Sequence, residues 1–139
     1  MPHDPGPYWF APDTSRLDTD DAGRIALVRR PKLLLAGWSA YPRIQDFERF
    51  RAIADLVGAL FMVDMAHFAG LVAGGVHPSP VPYADVVTTQ THKTRGSPRA
   101  GMIRCRAEDG KRAPPRVVPT TPGGPARPSA AHRAEARRL

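Results

Sequence analysis

A chain of 139 residues has room for one domain with a real core and is too short for two comfortable ones; its 42% hydrophobic content is globular, while 16 prolines exclude regular structure over some stretch. Of the formal net charge of +7, residues 110–139 carry +6, so the basic character belongs to a Pro/Arg/Ala-rich tail rather than to a folded face, and neither nucleic acid nor a membrane is an expected partner. The single Cys105 excludes an internal disulfide, no Cys/His spacing suits structural zinc, and no signal core or 18-residue apolar run is present, so no metal is expected and a cytoplasmic location is.

Residues 1–16 hold prolines at 2, 5, 7 and 12 and read as an irregular lead-in. Residues 18–30 form a short helix or turn that Pro31 closes at Arg30. The apolar run at 32–37, ended by Gly37, has the pattern of a strand buried on both faces of a parallel sheet. From Asp46 the period becomes helical: Phe47, Phe50, Ile53, Ala54 and Val57 share a face, Asp46 caps the start, Arg51 and Asp55 are i, i+4 neighbours, and Gly58 supplies the stop. A second buried strand covers 59–63 with Asp64 at its carboxyl end. Pro78, Pro80 and Pro82 make a stiff loop, followed by strands at 84–89 and 101–105. Strands alternating with helix predict an α/β fold, a partial mixed or parallel sheet with crossover helices, over residues 17–109, with 110–139 a disordered tail.

Ligands of such sheets gather beyond the carboxyl ends of the strands. Ser39, Asp64, His67 and the Thr91-His92-Lys93 group all fall there. Taken alone, Asp64 is either the cap of a helix beginning near Met65 or a site carboxylate. Lys93, one of three lysines beside 17 arginines, is either an exposed cation or an amine that must be neutral to attack a carbonyl.

Four strings, AGWSAYPR at 36–43, MVDMAHFAGLVAGGVHPSPVPYADVVT at 62–88, THK at 91–93 and the Pro-Arg at 98–99 with its following glycine, agree in order and spacing with one family. Over residues 8–106 the chain resembles serine hydroxymethyltransferase, matching the centre of that family's longer chain. The resemblance implies the large domain of a fold-type I pyridoxal-phosphate transferase that interconverts serine and glycine with tetrahydrofolate, in one-carbon metabolism, as a homodimer. It implies that Lys93 carries pyridoxal 5'-phosphate as an aldimine and that Asp64 faces the pyridine nitrogen. It also implies that His67 lies over the cofactor ring, that Ser39 sits by the phenolic oxygen, and that His92 shapes the site before the lysine. Arg99 corresponds to an arginine structural or peripheral to the site.

Two positions depart from the family: Gln90 stands where a threonine is usual, which bears on proton handling, and Ala100 replaces a glycine, which bears on the path of the loop. In the tail, the stretch 117–125 is similar to the family's FPG-x-QGGP segment, which makes Gly123 and Gly124 candidate phosphate contacts. The family's phosphate cradle, ring-stacking aromatic and carboxylate-binding arginine lie outside the resemblance. The expectation is therefore a truncated member, the alternative being a catalytically inactive remnant or a partner subunit without activity of its own.

Overall fold

The computed structural model describes residues 4–96 and 99–106; the tail at 110–139, with Gly123 and Gly124, lies outside the described residues. The elements run α1 (Thr19–Arg29), β1 (Leu33–Gly37), α2 (Phe47–Val57), β2 (Leu60–Asp64), α3 (Ala69–Ala73), β3 (Val86–Gln90) and β4 (Gly101–Cys105). One sheet has the order β1-β2-β3-β4, with β1, β2 and β3 parallel and β4 antiparallel to β3.

Both long helices begin and end on local chemistry. Asp18 accepts the Asp21 N–H at 2.8 Å and Asp46 accepts the Arg49 N–H at 2.9 Å, so each satisfies a donor that the first turn leaves open. α2 stops at Gly58, in the left-handed region with φ 70°, and α1 stops at Arg30, φ 47°, where Pro31 prevents continuation. Arg51 and Asp55 form the expected i, i+4 pair at 2.7 Å.

The core is built where the helical and strand periods meet. Phe47, Phe50, Ile53 and Ala54 of α2 pack with Leu34 and Ala36 of β1, Phe61 and Val63 of β2, and Val87 of β3. Phe50, Phe61 and Phe68 are fully buried, each contributing about 1.5–3 kcal/mol by removal from water. The lead-in segment is irregular but anchored: the Tyr8 hydroxyl donates to the Leu35 carbonyl at 2.8 Å and its ring lies 5.6 Å from that of Phe50.

The expectation that β1 is buried on both faces is not met. Leu33 and Leu35 are 47% and 51% exposed, and Leu60 beside them is 54% exposed. Right-handed crossovers explain it: the connection from β1 to β2 runs through α2 and lands on one face, the face that holds the core. The helix placed near Met65 also shifts, because Met65 still bonds to the Thr88 carbonyl at 2.9 Å as a continuation of the sheet and α3 starts only at Ala69.

Candidate functional site

β1, β2 and β3 end side by side, with Gly37 paired to Asp64 and Asp64 to Thr88. Gly37 has φ 132°, and a Cβ there would collide with the Asp64 carbonyl, so only glycine lets β1 finish this close to β2. Trp38 then stacks on Phe68 with centroids 3.8 Å apart and planes at 4°, and His77 tilts against both rings at 5.1 and 4.9 Å. That stack ties the segment bearing Ser39, which is exposed, to the turn bearing His67.

Asp64 is exposed, and its Oδ1 accepts the Ala66 N–H at 3.0 Å. The bond organises the turn at 66–68 rather than a helix N-terminus. Phe68 N–H bonds to the Met65 carbonyl at 3.0 Å, and the turn leaves the His67 ring exposed.

Lys93 lies in the connection between β3 and β4, clamped on both sides. Before it, the Thr91 N–H donates to the Ala100 carbonyl at 3.0 Å and the Thr91 hydroxyl accepts the Ala100 N–H at 3.0 Å. After it, the Thr94 hydroxyl accepts the Gly70 N–H at 2.8 Å. A Cβ on Gly70 would collide with the Thr94 backbone, so the glycine admits the loop. Between these clamps Lys93 Nζ lies 2.7 Å from His67 Nε2. A ring-nitrogen lone pair lies in the plane of the imidazole, so His67 presents its edge to the amine. The amine is half-buried and hydrogen-bonded, unlike a free surface cation.

His92 is also half-buried, and its Nδ1 has no hydrogen-bond partner among the described residues. Burial, then the charges of Arg99 and Lys93, hold its pKa below the usual 6.5, so it is neutral at pH 7. Arg99 thus acts on the site through its charge. Gln90 ends β3 opposite Gly101, and its Oε1 is buried without a partner among the described residues. Ala100 is not among the described residues with positive φ, so a side chain is tolerated there, and Gly96 at φ 66° takes the turn instead.

Of the expected site residues the structure brings Lys93 and His67 into contact; Asp64 ends β2, Ser39 follows β1 and His92 precedes Lys93 in the loop after β3, while Gly123 and Gly124 lie outside the described residues. The sequence singled out Thr91 beside the lysine but not the other residues that position the site: Gly37, as more than a strand end, Trp38, Phe68, Gly70 and Thr94. A glycine directly after a buried strand was a readable signal for Gly37, but the contact of Gly70 with Thr94 spans 24 residues and has no local one.

The four-stranded mixed α/β sheet with crossover helices has the architecture of a piece of the large domain of the fold-type I transferases. Residues 3–127 match the family described as serine hydroxymethyltransferase, and the chain belongs to that family. Among its relatives, the serine hydroxymethyltransferase of Coprothermobacter proteolyticus is 58% identical over 118 residues, 85% of this chain and 28% of that protein. That of Nocardia farcinica is 57% identical over 118 residues, 85% of this chain and 27% of its own length. That of Kineococcus radiotolerans is 56% identical over 123 residues, 88% and 28% respectively. The chain therefore spans a little over a quarter of the length of these relatives.

Proposed function

We propose that this chain supplies the lysine-bearing part of a pyridoxal-phosphate-dependent glycine hydroxymethyltransferase, which interconverts serine and glycine with tetrahydrofolate, and that residues 17–109 form its contribution to the large domain. The observation that carries the reading is the 2.7 Å contact of Lys93 Nζ with His67 Nε2 at the strand ends that also bear Asp64 and Ser39. These residue types fit the cofactor: an amine for its aldehyde, a carboxylate for its ring nitrogen and a hydroxyl for its phenolic oxygen. Pyridoxal phosphate, when bound, supplies an electron sink for the amino-acid substrate.

Each side chain has a defined task. A lysine ammonium must lose a proton before its nitrogen attacks a carbonyl, and His67 Nε2 is the acceptor within reach of Lys93 Nζ. Asp64 would keep the cofactor's ring nitrogen protonated, because its negative charge favours the cationic form, and Ser39 Oγ would donate to the phenolic oxygen. His92, kept neutral, adds no positive charge beside the amine. The clamps at Thr91 and Thr94 hold Lys93 in place, which matters because catalysis depends on geometry to a fraction of an ångström.

The test uses the three lysines of the chain, Lys32, Lys93 and Lys111. Pyridoxal phosphate added to the purified protein is expected to produce a visible absorbance band, which borohydride fixes on Lys93 as read by peptide mass. Lys93→Ala removes the band. Label spread evenly over Lys32 and Lys111 contradicts the assignment.

A second reading follows from the length of the match, 27–28% of each relative. The family's phosphate cradle and substrate-binding arginine lie outside this stretch, so the chain by itself is a subunit without activity of its own, and turnover belongs to a completed, dimeric assembly. Serine turnover by the purified chain alone would contradict this second reading.

A further inference from the structure

His67 is held by its neighbours rather than by its own ring. The imidazole is exposed, and its hydrogen bond among the described residues is the 2.7 Å contact with Lys93 Nζ. An exposed ring keeps rotamer freedom that one contact with a long lysine does not remove, so His67 inherits its position from the backbone on either side. Ala66 and Phe68 are both buried, and Phe68 is the one with a large side chain.

What Phe68 packs against therefore decides where His67 stands. Its ring lies 3.8 Å from that of Trp38 with planes at 4°, against 4.9 Å for His77 and 6.3 Å for Phe47. Trp38 reaches this place because Gly37, at φ 132°, turns the chain at the end of β1. Beyond it, Trp38 meets Tyr41 edge-on at 6.3 Å. Tyr41 is fixed in turn by the ring of Phe10 at 5.3 Å and by the Leu17 N–H, which its hydroxyl accepts at 3.2 Å. A row of rings thus runs from the lead-in segment to the residue beside His67. Such rings have two side-chain torsions each, so packing fixes them at little entropic cost.

We propose that Trp38 is a positioning residue for the amine: through Phe68 it holds His67 Nε2 within reach of Lys93 Nζ, and so sets how readily Lys93 attacks an electrophilic carbonyl. The ammonium proton passes to the ring nitrogen, the amine lone pair is freed for attack, and the imidazolium gives the proton up to water. Without the stack, the turn at 66–68 keeps its backbone bonds and loses the contact that fixes its orientation. A displacement of about 1 Å is enough to break a hydrogen bond of this length. The inference rests on the reading of Lys93 as the attacking amine and His67 as its proton acceptor. It does not involve the cofactor, so it is measured with a reagent that needs none.

Trace acetic anhydride is added to the full chain, and acetylation of Lys93 is read by peptide mass against that of Lys32, an exposed reference just before β1. Trp38→Ala is expected to lower the ratio about tenfold or more, and His67→Ala at least as far. Trp38→Phe, which keeps a ring for Phe68, is expected to stay within about twofold of the parent. In the His67→Ala background Trp38→Ala should change nothing further, because a residue that acts through the imidazole has nothing left to act on. Phe50→Leu alters a buried aromatic packed on Tyr8 and Phe61 instead, and should lower the urea midpoint while leaving the ratio unchanged. If Trp38→Ala does not fold, Trp38→Leu, which keeps apolar bulk without a ring, takes its place in every arm. An unchanged or raised ratio in the Trp38 variant, a further drop in the double variant, or an equal drop in Phe50→Leu overturns the inference. So does a parent ratio that His67→Ala leaves unmoved. The cofactor reading fails on a different result, label from pyridoxal phosphate on Lys32 and Lys111 in place of Lys93.

Discussion

Asp85 sits just before β3 at the end of the sheet opposite the candidate site, is 7% exposed, and organises three elements through one carboxylate. Its Oδ2 accepts the Phe61 N–H of β2 at 2.7 Å and pairs with Arg51 of α2 at 2.7 Å, while Oδ1 pairs with Arg106 beyond β4 at 2.7 Å. Burial raises its pKa, but the Phe61 N–H, the Arg51 hydrogen bond and the charges of Arg51 and Arg106 outweigh that and hold it below the usual 3.8. Asp85→Ala leaves the buried Phe61 N–H without its acceptor and takes one of two carboxylates from the half-buried Arg51 guanidinium, which keeps Asp55, and we expect a loss of about 2–4 kcal/mol, less than for a fully buried pair broken from one side. Asp85→Asn keeps an acceptor for Phe61 and loses only the charge, for an expected loss of about 1–3 kcal/mol. Urea unfolding of the chain reads both. Because the folded pKa is depressed, this stabilisation is fully present above the ordinary carboxylate value and is lost as pH falls through the folded one, a loss absent in Asp85→Asn. An Ala variant within about 1 kcal/mol of the parent, or an Asn variant as costly as Ala, refutes the reasoning.

Gly37→Ala must accommodate φ 132° and a collision with the Asp64 carbonyl; unfolding midpoints should drop by more than for Gly101→Ala, whose Cβ meets nothing within 4 Å. Asp64→Ala removes an exposed carboxylate with one bond to Ala66, so stability should change by about 0.5–1.5 kcal/mol while cofactor retention, read by absorbance after gel filtration, is lost. Burial pushes the Tyr8 phenol from 10.0 up to about 12, so its phenolate absorbance should appear late, and stability that is complete below pH 10.0 should be lost as pH rises from there through the folded value of about 12. Tyr8→Phe should cost about 1 kcal/mol in urea by leaving the Leu35 carbonyl without its donor.

The amino-acid sequence by itself determined what is local. Asp46, the Phe47/Phe50/Ile53/Ala54 stripe and Gly58 specify α2 from start to stop because capping, period and left-handed backbone are all satisfied within one segment. The short aliphatic runs specify β1 and β2 for the same reason, and with them the placement of Asp64 at the end of β2 and of Ser39, His67 and Lys93 after strand ends. Three things were decided only by the tertiary structure. An all-apolar strand demands cover on both faces without saying which segment supplies it, so the exposure of Leu33 and Leu35 follows from crossover handedness and not from their own residue type. The turn organised by Asp64, rather than a helix, was decided by Met65 remaining in the ladder with Thr88. And the contact of Lys93 with His67 joins residues 26 apart, brought together by the pairing of β2 with β3 and the clamp of Thr94 on Gly70, where the reason is the absence of a Cβ in one residue and a hydroxyl in the other.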